Sequence, residues 1–350
     1  MTHPSSISGV VLDIDWENMV DINLPTVKVT RKMKFGNKVI ENREDEMGEM
    51  MFLGDMHIGH KSHSGNPFHA HLKFLQDHPH IRIGLMGDYI DYSTNTNFVK
   101  EEEIDVDEQI NEFVRMMRPL KDRIVFALWG NHEERFAKYT KSNRLLKSMM
   151  LEVGVPDHCY VGEPQRGVFC SVISGDKTYG MYAQHGSTRA IANDFYQQKK
   201  TALSNRVSLI CQGHTHKLGY TQATERSMED TENQISKVTR RRWFVNTGCF
   251  IKDAGYTEAK SYPLTVVGAP LVQFYKSKDK IDVTDLSQEY KDYLTKGGIA
   301  FGDMSYNLDP WKFWNGAGRH DPLYEDRVPT LRPSSGLPVR EGNGKPLPPR

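Results

Sequence analysis

Three features are scarce in this sequence of 350 residues: net charge, cysteine and long apolar runs. The 45 basic and 45 acidic side chains cancel, which removes the main electrostatic reason to expect a dedicated nucleic-acid or membrane-surface protein. No apolar run approaches the roughly 18–20 residues that a membrane-spanning helix needs. The N-terminus also lacks the basic and apolar regions of a signal peptide. We therefore expect a cytoplasmic protein without a membrane partner.

Cysteine is too sparse to organise the fold or a metal site. The four cysteines are Cys159, Cys170, Cys211 and Cys249. Their wide spacing argues against a disulfide framework and against a zinc cluster held by thiolates. Histidine is abundant by contrast, with 14 residues in the chain, and seven of them fall between His57 and His80. Because imidazole is a common ligand for transition metals, the histidines are the better candidates for metal chemistry.

The apolar pattern predicts an α/β protein, because strand-like and helix-like segments alternate. The predicted strands cover residues 50–53, 81–86, 124–128, 179–183 and 208–211. The predicted helices cover residues 67–77, 104–117, 133–153 and 189–203. Beyond residue 220 the strand-like segments 243–245, 271–275 and 280–283 follow without strong helices between them. They fit a second sheet or the far half of a sandwich.

We divide the chain into three parts. Residues 1–47 form a predicted accessory extension with a hairpin around Phe35-Gly36-Asn37-Lys38. Residues 48–285 are the predicted catalytic domain. Residues 286–350 form a C-terminal extension, whose seven prolines after Gly316 favour an extended tail.

Five polar loops follow the predicted strands, and each contains a carboxylate, a carboxamide or an imidazole. They are Gly54-Asp55-Met56-His57, Gly87-Asp88-Tyr89-Ile90-Asp91, Gly130-Asn131-His132-Glu133, Gln184-His185-Gly186 and Gly213-His214-Thr215-His216. In open α/β sheets, sites form at the carboxyl ends of the strands, so we expect these loops to converge. A glycine beside each polar group lets the backbone approach the site closely.

In this order, the five motifs resemble those of the calcineurin-like metallophosphoesterase superfamily from Met50 to about Phe250. The resemblance implies a β-sandwich of two mixed sheets flanked by helices, the four-layer fold of that superfamily. It also implies a centre that holds two metal ions.

The resemblance further implies which side chains bind the two ions. Asp55, His57 and His216 would hold one metal, Asn131, His185 and His214 the other, and Asp88 would bridge them. Ligation by nitrogen and oxygen without thiolate suits Mn²⁺ best, with Fe or Zn²⁺ as alternatives. Two such ions activate water and stabilise the attacking and leaving oxygens in an in-line displacement at phosphorus.

Several neighbouring residues are candidates for other roles. By the same resemblance, His132 would act as general acid toward the leaving oxygen. Asp91 would orient His132, or it is a loop carboxylate bonded to nearby amides. Glu133 is either a partner of a ligand imidazole or a first-turn acid favoured by the helix dipole, which we consider the better explanation. His60 lies close enough to His57 in sequence to contact substrate.

The helix after the Gly130 loop is basic, beginning with Arg135. A solvated helix face is the ordinary explanation for such charges, and contact with the phosphates of a polyanion is the functional one. We assign Arg135 as a candidate substrate-binding residue.

The substrate is harder to predict than the reaction. Phosphoprotein phosphatases of this superfamily carry two arginines that clamp a phosphomonoester, and Tyr92 and Trp129 stand at those positions here. We therefore expect a phosphodiester substrate, with DNA or RNA as the leading candidates, as in repair-type exonucleases. The alternatives are a cyclic-nucleotide phosphodiesterase, a phosphomonoesterase like the protein Ser/Thr phosphatases and, last, a non-catalytic scaffold of the same fold.

Overall fold

The computed structural model describes residues 19–35, 38–92, 104–163, 167–186, 195–231, 234–252, 266–285, 299–301 and 304–306. All of them belong to one compact unit, Met1–Asp309. The strands are β1 (Val20–Leu24), β2 (Thr26–Phe35), β3 (Lys38–Leu53), β4 (Arg82–Leu85), β5 (Ile124–Ala127), β6 (Tyr160–Val161), β7 (Val168–Ser174), β8 (Lys177–Gln184), β9 (Leu209–Gln212), β10 (Leu218–Thr231), β11 (Gln234–Thr247), β12 (Pro270–Tyr275), β13 (Ile281–Asp285), β14 (Ile299–Phe301) and β15 (Met304–Tyr306). The helices are α1 (Gly65–Asp77), α2 (Val106–Met117), α3 (Asn131–Thr140), α4 (Leu145–Val153) and α5 (Tyr196–Ser204).

The strands of the described residues form two mixed sheets. The first sheet has the order β1-β7-β8-β9-β11-β10, with β8, β9 and β11 parallel to one another. The second has the order β14-β15-β2-β3-β4-β5-β6, and β12 pairs with both β3 and β13. Within it, β3 to β6 run parallel while β2 and β12 run antiparallel to β3. The α/β class and the two mixed sheets predicted from the sequence are confirmed.

The main hydrophobic core lies between the two sheets. The first sheet contributes residues that include Cys170, Met181, Leu209 and Val245, and the second contributes Met50, Phe52, Phe126 and Phe274. Burial of each large side chain stabilises the fold by about 1.5–3 kcal/mol. The sandwich thereby holds the ends of its strands, and the loops that follow them, in fixed positions.

Helices pack against the first sheet and against the loop that follows β4. On the first sheet, Ala202 of α5 packs against Ile210 and Phe244. Phe113 of α2 packs against Tyr89, with ring centroids 5.0 Å apart. None of the described helices combines the length and the apolar character needed to cross a membrane.

The predicted helix 133–153 is wrong, because the structure contains two helices there. The first ends before Lys141, which adopts a left-handed conformation with φ 55°. The sequence around this break, Thr140-Lys141-Ser142-Asn143, is poor in strong helix formers. Of the predicted helix 189–203, the structure shows α5 from Tyr196, and residues 189–194 lie outside the described part.

The N-terminal hairpin is confirmed, since β2 and β3 pair antiparallel with Phe35 opposite Lys38. The boundary predicted between residues 47 and 48 lies inside β3. The division into three parts stays a prediction. Of the predicted C-terminal extension, the described residues are the short hairpin β14–β15.

Candidate metal centre

The predicted polar loops meet at one end of the sandwich, where parallel strands of both sheets finish. Asp55 follows β3, Asp88 follows β4 and Asn131 follows β5. From the other sheet, His185 follows β8 and His214 follows β9. The convergence arises because the carboxyl ends of parallel strands share one edge.

One group of three side chains matches the first predicted ligand set. Asp55, His57 and His216 each offer an atom within 4.8 Å of the others. His216 Nε2 lies 3.3 Å from Asp55 Oδ1 and 3.2 Å from His57 Nε2. Two imidazole nitrogens at this distance leave little room for protons on both, and a cation between them would use both lone pairs.

A second group contains Asp88, His185 and His214, again with ligand atoms within 4.8 Å of one another. Asn131 joins this group, because its side-chain oxygen lies 3.2 Å from His185 Nε2. With the amide turned, its nitrogen would lie 2.6 Å from His214 Nδ1 and 3.2 Å from Asp88 Oδ2. The oxygen therefore points toward other lone pairs, an arrangement that favours a cation at their centre.

Asp88 lies between the two groups. Its Oδ2 is 3.3 Å from His185 Nε2 and 3.8 Å from His57 Nε2. Its other oxygen, Oδ1, accepts the main-chain N–H of His132 at 2.9 Å. One carboxylate thus faces both ligand groups, which is the position of a bridging ligand.

Hydrogen bonds to the far side of two rings select the tautomer needed for metal binding. His185 Nδ1–H donates to the Met86 carbonyl at 2.8 Å. His57 Nδ1 lies 2.9 Å from Asp91 Oδ1. Both contacts hold the proton on Nδ1 and direct the Nε2 lone pair into the site.

The backbone at the site is held in an unusual conformation. Five predicted ligands have left-handed φ angles: Asp55 47°, His57 48°, Asp88 53°, His214 65° and His216 53°. Such a conformation costs about 1–3 kcal/mol per residue outside glycine and persists only where the surroundings impose it. Strained residues cluster at functional sites, and these five all face one centre.

Gly130 and Glu133 fix the loop that carries Asp88. A Cβ atom on Gly130 would lie 2.1 Å from both the nitrogen and Oδ1 of Asp88, so the position has room only for glycine. The buried Glu133 carboxylate accepts N–H groups from Asp88, Tyr89 and Gly130 at 2.9, 2.8 and 2.9 Å. Glu133 therefore joins the β4 loop to the start of α3.

Neither explanation of Glu133 offered by the sequence anticipated this bonding. It lies in the first turn, as the dipole explanation required, but its principal contacts are main-chain amides more than 40 residues away. The available signal was its position three residues after Gly130 at a helix start, the spacing of a capping acid. Gln109 is a second supporting residue that the sequence did not indicate, and its Oε1 accepts the N–H of Asp91 at 2.9 Å.

The electrostatics of the cluster favour positive charge. Burial alone would raise the pKa of Asp88, but His185, His132 and His57 hold it well below its usual value. Burial alone would likewise lower the pKa of His185, yet Asp88 and Asp55 raise it to about 10. Divalent cations respond to the same negative potential that holds a proton on an imidazole.

Burial is the main cause of the pKa shift at three other groups. It lowers the pKa of His214 to about 4 and that of His132 to about 3. Burial and the nearby charge of Asp88 raise the pKa of Glu133 to about 7, although the amides bonded to it oppose the shift.

The remaining candidates lie around this centre. The His132 ring meets the His57 ring edge-on with centroids 4.6 Å apart, and its Nδ1 lies 3.5 Å from Asp91 Oδ1. Asp91 is thus shared between a predicted ligand and the predicted acid. Arg135 Nη1 lies 3.3 Å from His132 Nε2. His60 is buried with its Nδ1 accepting the Ser62 N–H at 2.9 Å, and its contact with substrate stays a prediction.

The donor set fits two divalent cations. It combines carboxylate, carboxamide and imidazole without thiolate, and the buried His214 Nε2 has no hydrogen-bond partner among the described residues. Mixed oxygen and nitrogen ligation is suited to Mn²⁺, Fe and Zn²⁺.

Comparison with known proteins agrees with this geometry. The family model described as calcineurin-like phosphoesterase matches residues 50–218, a segment that contains all seven predicted ligands. Residues 50–218 therefore form a calcineurin-like phosphoesterase domain. No curated protein sequence matches this chain.

Solved structures that are similar to this chain have low sequence identity to it. YfcE, a phosphoesterase from E. coli, is 12% identical with a TM-score of 0.34, covering 68% of this chain and 98% of its own. Vps29 from Entamoeba histolytica, solved with Zn²⁺, is 12% identical with a TM-score of 0.32, covering 68% of this chain and 97% of its own.

Proposed function

We propose that this protein is a dinuclear metal-dependent phosphodiesterase. The observation that carries the proposal is the Asp88 carboxylate, which faces His57 of one ligand group and His185 of the other. Mn²⁺ is the ion we propose, with Fe or Zn²⁺ as alternatives. Divalent ions held in this way supply positive charge for the phosphoryl oxygens and activate water as a nucleophile.

The protein's own groups would handle the proton and orient the ester. His132 lies beside the ligand His57, where we assign it the role of general acid toward the leaving oxygen. This role requires the negative charge of the bound phosphate to raise a pKa that burial lowers to about 3. Asp91 would orient that ring through Nδ1. Arg135, next to His132 Nε2, would hold an oxygen of the phosphate.

A diester fits these charges better than a monoester. Tyr92 packs against Phe136, and Trp129 is buried, so neither position places a cation beside the phosphate. The guanidinium of Arg135 is a single positive group, which suits a phosphate with one negative charge. Nucleic acid is the substrate class we place first, with cyclic nucleotides and phosphomonoesters as alternatives. A non-catalytic scaffold would have no need for seven converging ligands and His132.

The test uses chelated protein to which Mn²⁺ is returned. We expect bis-p-nitrophenyl phosphate to be hydrolysed with a higher kcat/KM than p-nitrophenyl phosphate, and only after metal is added. Asp55→Asn should abolish this activity, while the matched control Asp77→Asn, at the last, partly exposed residue of α1, should retain it. Full activity in protein shown to be metal-free by elemental analysis, or a strong preference for the monoester, would overturn the proposal.

A further inference from the structure

One face of α3 leads away from the metal centre and carries an arginine and two aromatic rings. His132, Arg135, Phe136 and Tyr139 have the spacing i, i+3, i+4, i+7, which places them along one side of a helix. Because each residue of a helix rises 1.5 Å, Tyr139 lies about 10 Å along the axis from His132. This face therefore begins at His132, beside the predicted ligand His57, and ends at a tyrosine.

A third ring joins the two on the helix. Tyr92 meets Phe136 with centroids 5.0 Å apart at 76°, and it lies 6.3 Å from Tyr139 at 53°. Tyr92 directly follows Asp91, which contacts both His57 and His132. The three rings, Tyr92, Phe136 and Tyr139, are called the aromatic platform below.

The outer part of this platform is open to solvent. Tyr139 is 71% exposed, although most large rings in a fold are covered. The side chain of Lys138, next to Tyr139 in sequence, does not lie over the Tyr139 ring. Its ammonium group is instead paired with Glu134, at 2.6 Å. An exposed ring backed by two others, beside an arginine, has the composition of surfaces on which bases and other planar rings stack.

We propose that the aromatic platform binds a planar ring carried by the phosphate ester, a nucleobase or an aryl group, while its phosphate lies at His132 and Arg135. The proposal rests on the phosphodiesterase function above and deepens it by naming the chemistry beside the phosphate. It assigns a specificity role to Tyr139, which has no contact with a predicted metal ligand among the described residues. If Tyr139 had no role in binding, ligands with and without an aromatic ring would bind the protein equally well.

The test compares ligands that differ only in having a ring. Binding of AMP and ribose 5-phosphate to Mn²⁺-loaded protein is measured by calorimetry, and phenyl phosphate is compared with methyl phosphate. We expect AMP, phenyl phosphate or both to bind more tightly than the partner without a ring. Tyr139→Ala should weaken binding of the preferred ligand about five- to tenfold and leave its ringless partner unchanged. Tyr139→Phe should retain wild-type affinity, because stacking needs the ring and not the hydroxyl.

Tyr220→Ala is the matched control, since this half-exposed tyrosine lies on β10 in the other sheet. Thermal unfolding shows whether each variant is folded. A preference for AMP alone identifies a nucleobase as the ring, and a preference for phenyl phosphate alone identifies an aryl group. Equal affinity within both ligand pairs in the wild type, or equal losses in Tyr139→Ala for ligands with and without a ring, would overturn the proposal. Ring-dependent binding without any ester hydrolysis would overturn the phosphodiesterase function and leave the platform in place.

Discussion

The carboxylate of Glu133 lies 2.9 Å from the main-chain nitrogen of Asp88, so that a residue at the start of α3 holds the loop that carries the predicted bridging ligand. Its oxygens also accept the N–H groups of Tyr89 and Gly130. All of these groups are buried, so the main-chain N–H groups lose their hydrogen bonds to water on folding. The hydrogen bonds to Glu133 replace them.

Glu133→Gln should destabilise the protein, because an amide NH₂ would then face buried N–H donors. Each buried donor left without a partner costs about 1–3 kcal/mol, and we expect the free energy of unfolding to fall by at least that amount. Urea denaturation measures it. Glu152→Gln, the same change at an exposed residue of α4, should alter stability by less than about 1 kcal/mol. Equal effects of the two changes would contradict the role of Glu133.

Asp88→Ala should cause a greater loss of metal than removal of any ligand that serves one ion. Loss of the shared carboxylate removes negative charge from both ligand groups, so we expect occupancy to fall from two ions per chain toward none. Asp55→Ala should leave the ion held by His185 and His214. Elemental analysis after dialysis compares the two variants, and two retained ions in Asp88→Ala would show that Asp88 does not bridge.

His132→Ala should keep both ions but lower the rate, since we assign this ring to proton transfer and not to ligation. General acid catalysis contributes roughly 10²- to 10⁴-fold, and the loss should shrink for esters whose leaving group needs no proton. Rates on p-nitrophenyl and alkyl diesters, measured with metal content, separate the two effects. The same loss on both esters would argue against a general acid.

The buried His71 should make the fold less stable in mild acid. Its Nδ1–H donates to the Pro67 carbonyl at 2.7 Å, and its Nε2 accepts the Ala269 N–H at 3.1 Å, so the neutral ring satisfies both contacts. Burial lowers its pKa from 6.5 to about 3. The unfolded chain therefore binds the proton first, and stability is lost as pH falls from about 6.5 toward 3.

The expected size of this effect is about 2 kcal/mol between pH 7 and pH 5. Urea denaturation at both pH values should show a smaller change with pH in His71→Gln than in the wild type. The control is His158→Gln, at an exposed position, which should keep the pH dependence of the wild type. A His71 variant with the full dependence would assign the acid sensitivity to other groups.

Much of the candidate site was predictable because residue type and strand position determine it locally. Asp55, Asp88 and Asn131 each follow a buried apolar strand, and parallel strands bring the residues after them to one edge. The hairpin at Phe35–Lys38 was predictable for a similar reason, since short turns depend on neighbouring residues.

The supporting contacts were not predictable from local pattern. Glu133 reaches amides of a loop more than 40 residues earlier, and its partners depend on where α3 meets the end of β4. The end of α3 before Lys141 was missed for a different reason. The polar run Thr140-Lys141-Ser142-Asn143 interrupts the apolar pattern there, and the predicted helix was extended across it.

The sequence by itself determined the α/β class and the set of side chains able to bind metal, since both follow from apolar periodicity and from the chemistry of residues at strand ends. Only the tertiary structure decided that Asp91 is shared by His57 and His132 and that Tyr92 joins the rings of α3. These relationships join separate segments of the chain. Their distances depend on how the sandwich and its helices pack, which no local spacing of residues encodes.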